Sequence, residues 1–407
     1  MTAAEVRRTD GSARDPRDCD FALEPLPGDA LHETLHALRR IAPIAPCRFG
    51  GQPAFVITGH AALLEAFADV DAFPPHRMYR ASFEPAIGES FISMPERERH
   101  LVYRRLATPA FRSRAITRFE EAGLRALAHE LVDAMLERAP QGPWDLVAEL
   151  TARFPYKVIT RLLGLPRERE DAFHAWALAL LRFREEPDAA RAAAKEFTAY
   201  LQPVVAARRR EPREDVISEL LAAGVDGRRL SDTEIESHIR LLFPTGGETT
   251  HGSLGNLLSL VLSRPELQER LREDPSLVPA AVEEGLRLET PIAVLPRLAA
   301  SQRVRFQDID LPADAWVLFA IAGANRDPAV FADPDRFDLS RPSRDALTFG
   351  RGVKSCPGAH LARRNLQVAM EVLLERLPRL ELIDAEAARP RQSVLRAPAA
   401  LRVRPAR

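Results

Sequence analysis

The chain has 407 residues, 46% of them hydrophobic, which is enough for a large buried core. Its formal net charge is -1, and aromatic residues make up 6% of it. A general nucleic-acid binder would carry a basic surface, so the composition argues against that class.

The N-terminal segment, residues 1–20, is charged and has no apolar stretch typical of a signal peptide or membrane anchor. Its composition predicts disorder. Since no run of 18 or more apolar residues occurs, no membrane-spanning helix is expected. Cys19, Cys47 and Cys356 are far apart in the sequence, so neither a zinc knuckle nor a disulfide framework is expected. Reduced thiols fit a cytoplasmic protein.

From residue 21 to residue 407 no obvious linker interrupts the sequence, which predicts a single domain. Its middle is rich in Ala, Leu, Arg and Glu and has helical periodicity. Two segments are typical of strands. Residues 48–58 contain a hairpin turn at Gly50 and Gly51, and residues 304–321 contain a turn over residues 311–314. The sequence therefore predicts a mainly α fold with small β-sheets.

Two pairs of charged residues occur at helical spacing. His100 and Arg104 are four residues apart on one predicted helix, and Glu284 and Arg287 are three apart on another. Taken alone, such pairs indicate solvated helix faces, where an ion pair contributes about 0.3 kcal/mol.

The segment 241–262 begins LLFPTGGETT and stays apolar to Leu262, so a long buried helix is expected. Pro244 removes one backbone hydrogen bond inside it, and the glycines weaken the helix further. Glu248 and Thr249 then place an acid beside a hydroxyl. The simplest interpretation is a helix irregularity in which Thr249 bonds back to its own backbone.

Residues 349–363, FGRGVKSCPGAHLAR, place Cys356 behind a glycine-rich loop and in front of a helix that is apolar on one face. Unpaired N–H groups and the helix dipole favour an anion at that position. A thiolate is the metal-binding form of cysteine. An inert buried thiol is the ordinary alternative, and a Cys–His nucleophile stays open. The spacing fits neither a dinucleotide-binding loop nor a Walker loop.

The loop resembles the haem-binding signature of the cytochrome P-450 family, F-G-x-G-x-H/R-x-C-x-G. The matching residues are Phe349, Gly350, Gly352, Cys356 and Gly358. Lys354 stands where His or Arg is usual, and Ala346 stands where many bacterial members have a further His. The resemblance runs from about residue 47 to the end, with the motifs in the family's order. It implies the P-450 fold of a soluble bacterial-type member, with haem between a long central helix and the cysteine loop.

By this resemblance Cys356 is the axial thiolate ligand of haem b, and such a ligand favours cleavage of the O–O bond. The resemblance implies that the haem propionates are bound by His100, Arg104, Arg297 and Lys354. Glu284 and Arg287 are expected to lock the core behind the haem, with Arg336 as a third partner.

In the same way, Gly246, Glu248 and Thr249 match the family's oxygen-binding groove, and Thr245 holds the position of its usual small residue. The acid and the hydroxyl are then expected to deliver protons to the bound oxygen. The substrate pocket is expected to be mainly apolar. Its expected residues are Phe83, Phe243, Thr245, Ile292, Val294 and Leu395.

The implied reaction is a monooxygenation that hydroxylates or epoxidises a lipophilic small molecule with O2. Steroid, terpenoid, fatty acid and polyketide substrates all stay open. The chain has no flavin or iron–sulfur domain, so electrons are expected from ferredoxin and ferredoxin reductase. We expect ferredoxin to dock on the basic residues near Cys356, which include Arg351, Arg363 and Arg364. A monomer without a nucleic-acid partner or membrane anchor is expected.

Two alternatives stay open. One is a thiolate-haem isomerase or peroxide-driven enzyme, and the other is a non-catalytic ligand-binding helical protein.

Overall fold

The computed structural model describes residues 15–108 and 123–406, apart from the side chains of residues 170 and 171. About 53% of it is helical. Its α-helices are α1 (Asp29–Ile41), α2 (His60–Ala68), α3 (Pro75–Ser82), α4 (Glu84–Ile87), α5 (Arg97–Ala107), α6 (Arg125–Arg138), α7 (Phe154–Leu163), α8 (Glu170–Leu181), α9 (Pro187–Arg210), α10 (Val216–Ala222), α11 (Asp232–Leu262), α12 (Pro265–Glu273), α13 (Val278–Leu288), α14 (Ile321–Ala324) and α15 (Ala359–Arg376).

The strands form small sheets. They are β1 (Ile44–Phe49), β2 (Gln52–Ile57), β3 (Trp144–Asp145), β4 (Leu295–Leu298), β5 (Val304–Phe306), β6 (Ile309–Leu311), β7 (Trp316–Phe319), β8 (Leu380–Leu382), β9 (Pro390–Arg391), β10 (Ala397–Pro398) and β11 (Arg402–Pro405). One sheet has four strands in the order β1-β2-β7-β4, in which β2 and β7 are parallel and the other neighbours are antiparallel. The others are β3-β11-β8, β9-β10 and β5-β6. The predicted fold class, mainly α with small β-sheets, is confirmed.

The predicted hairpin over residues 48–58 is confirmed as β1 and β2, with Phe49 opposite Gln52. Gly50 and Gly51 form its turn with φ angles of 62° and 76°, which a side chain would disfavour. The predicted strands over 304–321 are also present, but they include an additional turn between β5 and β6. It uses Gln307 and Asp308 at positive φ, without the glycine that marks most such turns.

The long helix α11 runs through the main hydrophobic core. It begins at Asp232, nine residues before the predicted segment, because Ser231 and Glu234 form a reciprocal capping box. Helices α7, α8 and α9 pack against α11, and so do α13 and α15. Helix α13 carries the Glu284–Arg287 pair and α15 follows the cysteine loop, so α11 connects both features to the same core.

Of the predicted disordered segment, residues 1–14 lie outside the described residues. The chain can be followed from Asp15, and a short 3-10 helix occupies Pro16–Asp18. In the described ranges, no helix combines the length and the apolar character needed to cross a membrane.

Candidate active site

The cysteine loop bends at two glycines. Gly350 and Gly352 have φ angles of 68° and 73°, and a Cβ on Gly352 would lie 3.3 Å from the backbone carbonyl of Phe67. The loop closes where the N–H of Cys356 donates to the carbonyl of Phe349, at 2.9 Å. Helix α15 then begins at Ala359, with Gly358 as its N-cap. The local sequence therefore fixes Cys356 just before a helix N-terminus.

The electrostatic surroundings of the Cys356 thiol act in opposite directions. Burial raises its pKa, while the N–H of Gly358 and the guanidinium groups of Arg104 and Arg363 lower it. The residue nevertheless presents exposed surface. Cys19 and Cys47 are buried instead, and burial raises the pKa of Cys47 strongly.

The Glu284–Arg287 pair belongs to a fully buried network. The Arg287 guanidinium contacts both oxygens of Glu284 at 2.7 Å, and its other N–H groups donate to the carbonyls of Asn325, Pro334 and Arg336. Its five contacts match the five N–H donors of arginine. The charged third partner is Arg341, whose Nε lies 3.2 Å from Glu284 Oε1.

The prediction that Arg336 supplies the third partner therefore needs a correction. Arg336 contributes its backbone carbonyl, while its side chain is 66% exposed and pairs with Asp338. The side chain of Arg341 is 9% exposed and reaches the carboxylate. We call Glu284, Arg287 and Arg341 the closed cluster, because its two buried guanidinium groups share a buried carboxylate.

A second group of buried charges has a different composition. Arg104 and Arg297 lie close enough to Lys354 for their charges to lower its pKa, and all three side chains are basic. Arg297 is 4% exposed, and it donates to the carbonyl of Pro296 and contacts the rings of Tyr79 and Phe319. Arg104 donates to the carbonyls of Val353 and Ser355. None of the carboxylates in the described side chains forms an ion pair with these three cations, which we call the open cluster.

The ammonium group of Lys354 shows the cost of this arrangement. It donates to the carbonyls of Phe91 and Ile92 at 2.8 and 2.9 Å. Burial, followed by the charges of Arg297 and Arg104, lowers the pKa of Lys354 to about 7. His100 lies beside it, with Nδ1 2.6 Å from the carbonyl of Phe91 and Nε2 3.0 Å from that of Val353. The four predicted propionate-binding residues are thus brought together next to the cysteine loop.

On α11, Thr249 and Thr245 donate their hydroxyl groups to the carbonyls four residues earlier, at 2.7 and 2.6 Å. Glu248 is turned towards α7 and α8. Its Oε2 accepts a hydrogen bond from the Tyr156 hydroxyl at 2.7 Å and lies 3.7 Å from His174 Nε2. Sequence reasoning missed both partners, because they are about 92 and 74 residues away and no local pattern marks them.

The predicted pocket residues fall into two environments. Phe243 is fully buried among the rings of Tyr156, Phe173 and Phe197. Ile292 and Leu395 are the sequence neighbours of Pro291 and Arg396, which approach α11 closely, and Val294 lies two residues after Ile292. A Cβ on Gly252 of α11 would lie 2.8 Å from the carbonyl of Arg396 and 3.2 Å from Pro291. Thr245 and Phe83 are half-buried, and Phe83 packs against the main core.

One cavity of about 380 Å³ lies elsewhere, between α1 and the segment that follows α13. Its inner wall holds Glu289, which is paired with His32, Arg326 and Arg396. These charges satisfy one another, so the cavity does not share the character of the open cluster.

The residues around Cys356 fit a haem group. The donor set is one cysteine at a helix N-terminus, which suits iron ligation. The open cluster supplies cations for two carboxylates, as haem propionates require. Phe67, Phe73 and Phe319 line a small cavity together with Arg297 and Lys354, which gives apolar surface beside the cations.

Comparison with known proteins agrees with this geometry. Residues 173–398, more than half of the chain, match the family model described as Cytochrome P450. The chain belongs to the cytochrome P450 family. The nocardicin C N-oxygenase of Nocardia uniformis subsp. tsuyamanensis is 37% identical over 392 residues, which cover 92% of this chain and 95% of the relative. The vitamin D(3) 25-hydroxylase of Pseudonocardia autotrophica is 33% identical over 358 residues, 86% and 87% of the two chains.

Among solved structures, the cytochrome P450 CYP109Q5 from Chondromyces apiculatus superposes with a TM-score of 0.81 at 34% identity, and the match covers 91% of this chain and 94% of that one. The fold of this cytochrome P450 is therefore that of its bacterial relatives. The family also identifies the chain as an enzyme, a cytochrome P450 monooxygenase.

Proposed function

We propose that this cytochrome P450 binds haem b through the Cys356 thiolate and oxidises a lipophilic small molecule with O2 and electrons from a separate protein. The observation that carries the proposal is the exposed Cys356, just before a helix N-terminus, beside three cations that form no ion pair with any carboxylate among the described side chains. A ligand that combines a thiophilic metal with two carboxylates would bind both the cysteine and the cations. Residues 21–407 are proposed to form one catalytic domain, monomeric and cytoplasmic.

The bound haem would supply the activation of O2, and the protein residues would control its surroundings. Cys356 would hold the metal from the side of α15. Arg104, Arg297, Lys354 and His100 would bind the propionates. The loop residues Phe349, Gly350, Gly352 and Gly358 would shape the close backbone approach to the ring. These cations donate to backbone carbonyls, which hold them beside the cysteine loop.

Glu248 and Thr249 are proposed to handle protons. Burial raises the pKa of Glu248, but His174, His251 and Tyr156 together lower it further than burial raises it, so the carboxylate is charged at neutral pH. It can therefore accept a proton and pass it on. The Thr249 hydroxyl, held on the carbonyl of Thr245, can orient a water molecule on its own side of α11.

The proposed substrate class is a lipophilic ring system such as a steroid. Ile292, Val294, Leu395 and Phe83 are apolar, which favours such a ligand. Relatives named vitamin D(3) 25-hydroxylase and steroid C26-monooxygenase support the class. The nocardicin C N-oxygenase at similar identity leaves the exact substrate to experiment.

The electron donor is proposed to be a ferredoxin, reduced by its reductase. The segment 349–370 has no acidic residue, which gives it a basic character. However, Arg363 is paired with Glu283 and Arg364 with Glu371, so both also have structural roles. Arg351 is exposed and contacts only backbone carbonyls among the hydrogen bonds described, so it is the better probe of docking.

Docking is tested by replacing Arg351 with Glu and measuring reduction by a surrogate ferredoxin at several salt concentrations. We expect a several-fold slower reduction at low salt that converges with wild type at high salt, because salt screens exposed charges. Arg305→Glu, which alters an exposed cation outside this segment, is the control. Equal rates for Arg351→Glu and wild type at low salt would exclude this docking surface.

The reaction itself is tested with vitamin D(3), testosterone and palmitic acid as probes, in the presence of surrogate ferredoxin and ¹⁸O2. We expect one ¹⁸O atom in any product, and at least about a tenfold loss of product in Glu248→Gln and Thr249→Ala. Glu236→Gln is a matched control on the same helix, since Glu236 is buried and pairs only loosely with Arg240 at 4.0 Å. Product formed with peroxide alone and unaffected by Thr249→Ala would favour the peroxide-driven alternative instead.

A further inference from the structure

We propose that His174 on α8 passes protons from solvent to Glu248, and that Tyr156 on α7 positions the Glu248 carboxylate to receive them. The inference rests on the proposed role of Glu248 and extends it to the route by which protons arrive.

The first observation is the position of the two partners on one oxygen atom. Tyr156 donates to Glu248 Oε2 at 2.7 Å, and His174 Nε2 lies 3.7 Å from the same atom. The Glu248 side chain is 11% exposed and the His174 side chain 39% exposed. A buried carboxylate thus has a neighbouring imidazole that is open to water.

The second observation is the orientation of α11. A Cβ on Gly247 would lie 2.5 Å from the ring of Tyr156, so this face of α11 is pressed against α7. Thr249 comes two residues later and therefore lies about 200° further around the helix. Glu248 lies between the two faces. Its second oxygen, Oε1, has no hydrogen-bond partner among the described atoms, so one oxygen is held and the other is available.

The third observation concerns the titratable groups that face this pair. Among the described side chains they are Tyr156 from α7 and His251 from α11. Burial, followed by the charge of Glu248, raises the pKa of Tyr156, so its hydroxyl keeps its proton and serves as a fixed donor. Burial lowers the pKa of His251, whose Nδ1 lies 3.0 Å from Thr151 Oγ1. His174 is the more exposed of the two histidines, since its side chain is 39% exposed and His251 is buried.

The transfer is a simple proton exchange. The His174 imidazolium gives its Nε2 proton to Glu248 Oε2, which leaves a neutral imidazole and a carboxylic acid. The carboxylic acid then turns about its Cγ–Cδ bond, releases the same proton on the side where Oε1 had been, and returns to the Tyr156 hydroxyl, while the imidazole takes a new proton from solvent. One proton moves and nothing is oxidised or reduced. The 3.7 Å separation exceeds a hydrogen bond by about 0.7 Å, which a small rotation of the half-exposed ring closes.

The contact is tested in the intact protein by a readout other than turnover. In protein labelled with ¹³C at the glutamate carboxyl carbon, the Glu248 resonance is assigned by its loss in Glu248→Gln. His174→Gln is expected to raise the pKa of Glu248, because the imidazole lowers it in the wild type. Tyr156→Phe is expected to raise it as well. An unchanged titration of Glu248 in His174→Gln would overturn the proposal.

The relay is tested by the rate of NADH oxidation through a surrogate ferredoxin pair, under air, in H2O and in D2O. His174→Gln keeps a hydrogen-bonding side chain but cannot carry a proton. We expect an about fivefold slower rate, a larger solvent isotope effect and a flatter pH profile. Tyr156→Phe is expected to show a smaller slowing. The matched control is His129→Gln, since His129 lies 3.9 Å from Glu375 and is 26% exposed.

The outcomes separate this inference from the function on which it rests. If Glu248→Gln is slow and His174→Gln equals wild type in rate, isotope effect and pH profile, the relay through His174 is excluded and the role of Glu248 stands. If Glu248→Gln also equals wild type, the proposed role of Glu248 fails and the relay fails with it.

Discussion

The closed and the open cluster both contain buried basic side chains, but only the closed cluster contains a carboxylate that pairs with them. In the closed cluster, the carboxylate of Glu284 is shared by Arg287 and Arg341, and backbone carbonyls take the remaining donors. In the open cluster, burial lowers the pKa of Arg104 and of Lys354, and the charges of Arg297 and Arg104 lower the pKa of Lys354 further.

The difference shows how a buried charge cluster that stabilises the fold can be distinguished from one that binds a ligand. A buried charge costs free energy unless it is paired, so a set with internal partners can serve the fold alone. A set of like charges is retained against that cost when a ligand supplies the missing partner. The closed cluster is therefore expected to control stability, and the open cluster to control haem retention at the expense of ligand-free stability.

The largest expected effect comes from opening the closed cluster. Glu284→Gln leaves the guanidinium groups of Arg287 and Arg341 without their counter-charge in the core. We expect a loss of about 3–5 kcal/mol in the free energy of unfolding, measured by urea denaturation. Glu283→Gln, which removes the neighbouring and partly exposed carboxylate, is the control and should cost about 1 kcal/mol or less. A loss in Glu284→Gln as small as in that control would contradict the comparison.

Removing a cation from the open cluster should have a different signature. Arg297→Leu is expected to change the ligand-free unfolding free energy by no more than about 1 kcal/mol, because a costly charge and its aromatic contacts disappear together. Haem affinity should fall about tenfold to a hundredfold with the loss of a charge-assisted hydrogen bond of about 1.5–3 kcal/mol. The loss of haem affinity is measured by the rate at which haem is transferred to an excess of acceptor protein. Unchanged retention would remove Arg297 from the site.

The effect of Lys354→Met on the free energy of unfolding is expected to depend on pH, unlike the effect of opening the closed cluster. An unfolded lysine keeps its proton to about pH 10.4, whereas the pKa of Lys354 in the folded ligand-free protein is about 7. Between these values the unfolded chain binds more protons, so rising pH stabilises the folded state. The cost of Lys354 is therefore greatest below pH 7 and disappears towards pH 10.

We accordingly expect Lys354→Met to stabilise the ligand-free protein by about 1–2 kcal/mol below pH 7, a figure reduced for partial exposure. The gain should fade as the pH rises to 10. Urea denaturation at pH 6, 8 and 9.5 measures it. A gain that is independent of pH would show that Lys354 is not held near a depressed pKa.

The parts of the molecule that sequence could predict are those written in contiguous residues. The β1–β2 hairpin followed from two adjacent glycines, and the cysteine loop followed from residues 349–358. The start of α11 at Asp232 also has a local signal, the pair Ser231 and Glu234, although the apolar run alone predicted a later start. The pattern of apolar residues and the local residue spacing were enough to predict these elements.

The remaining contacts depend on the path of the chain in space. Arg336, Arg341 and Arg344 all lie in one loop, and only the backbone geometry brings Arg341 to Glu284. Tyr156 and His174 reach Glu248 because α7 and α8 pack on α11, which no local pattern in the sequence records. The turn at Gln307 and Asp308 lacks the residues that usually mark positive φ.

The proposed binding of haem iron by the Cys356 thiolate is tested most directly by the absorption spectrum of the reduced protein with carbon monoxide. We predict a strongly red-shifted Soret band that is lost in Cys356→Ala and retained in Cys47→Ala, which alters a buried cysteine outside the loop. A wild-type band at the unshifted position, or a shifted band that survives in Cys356→Ala, would contradict the account.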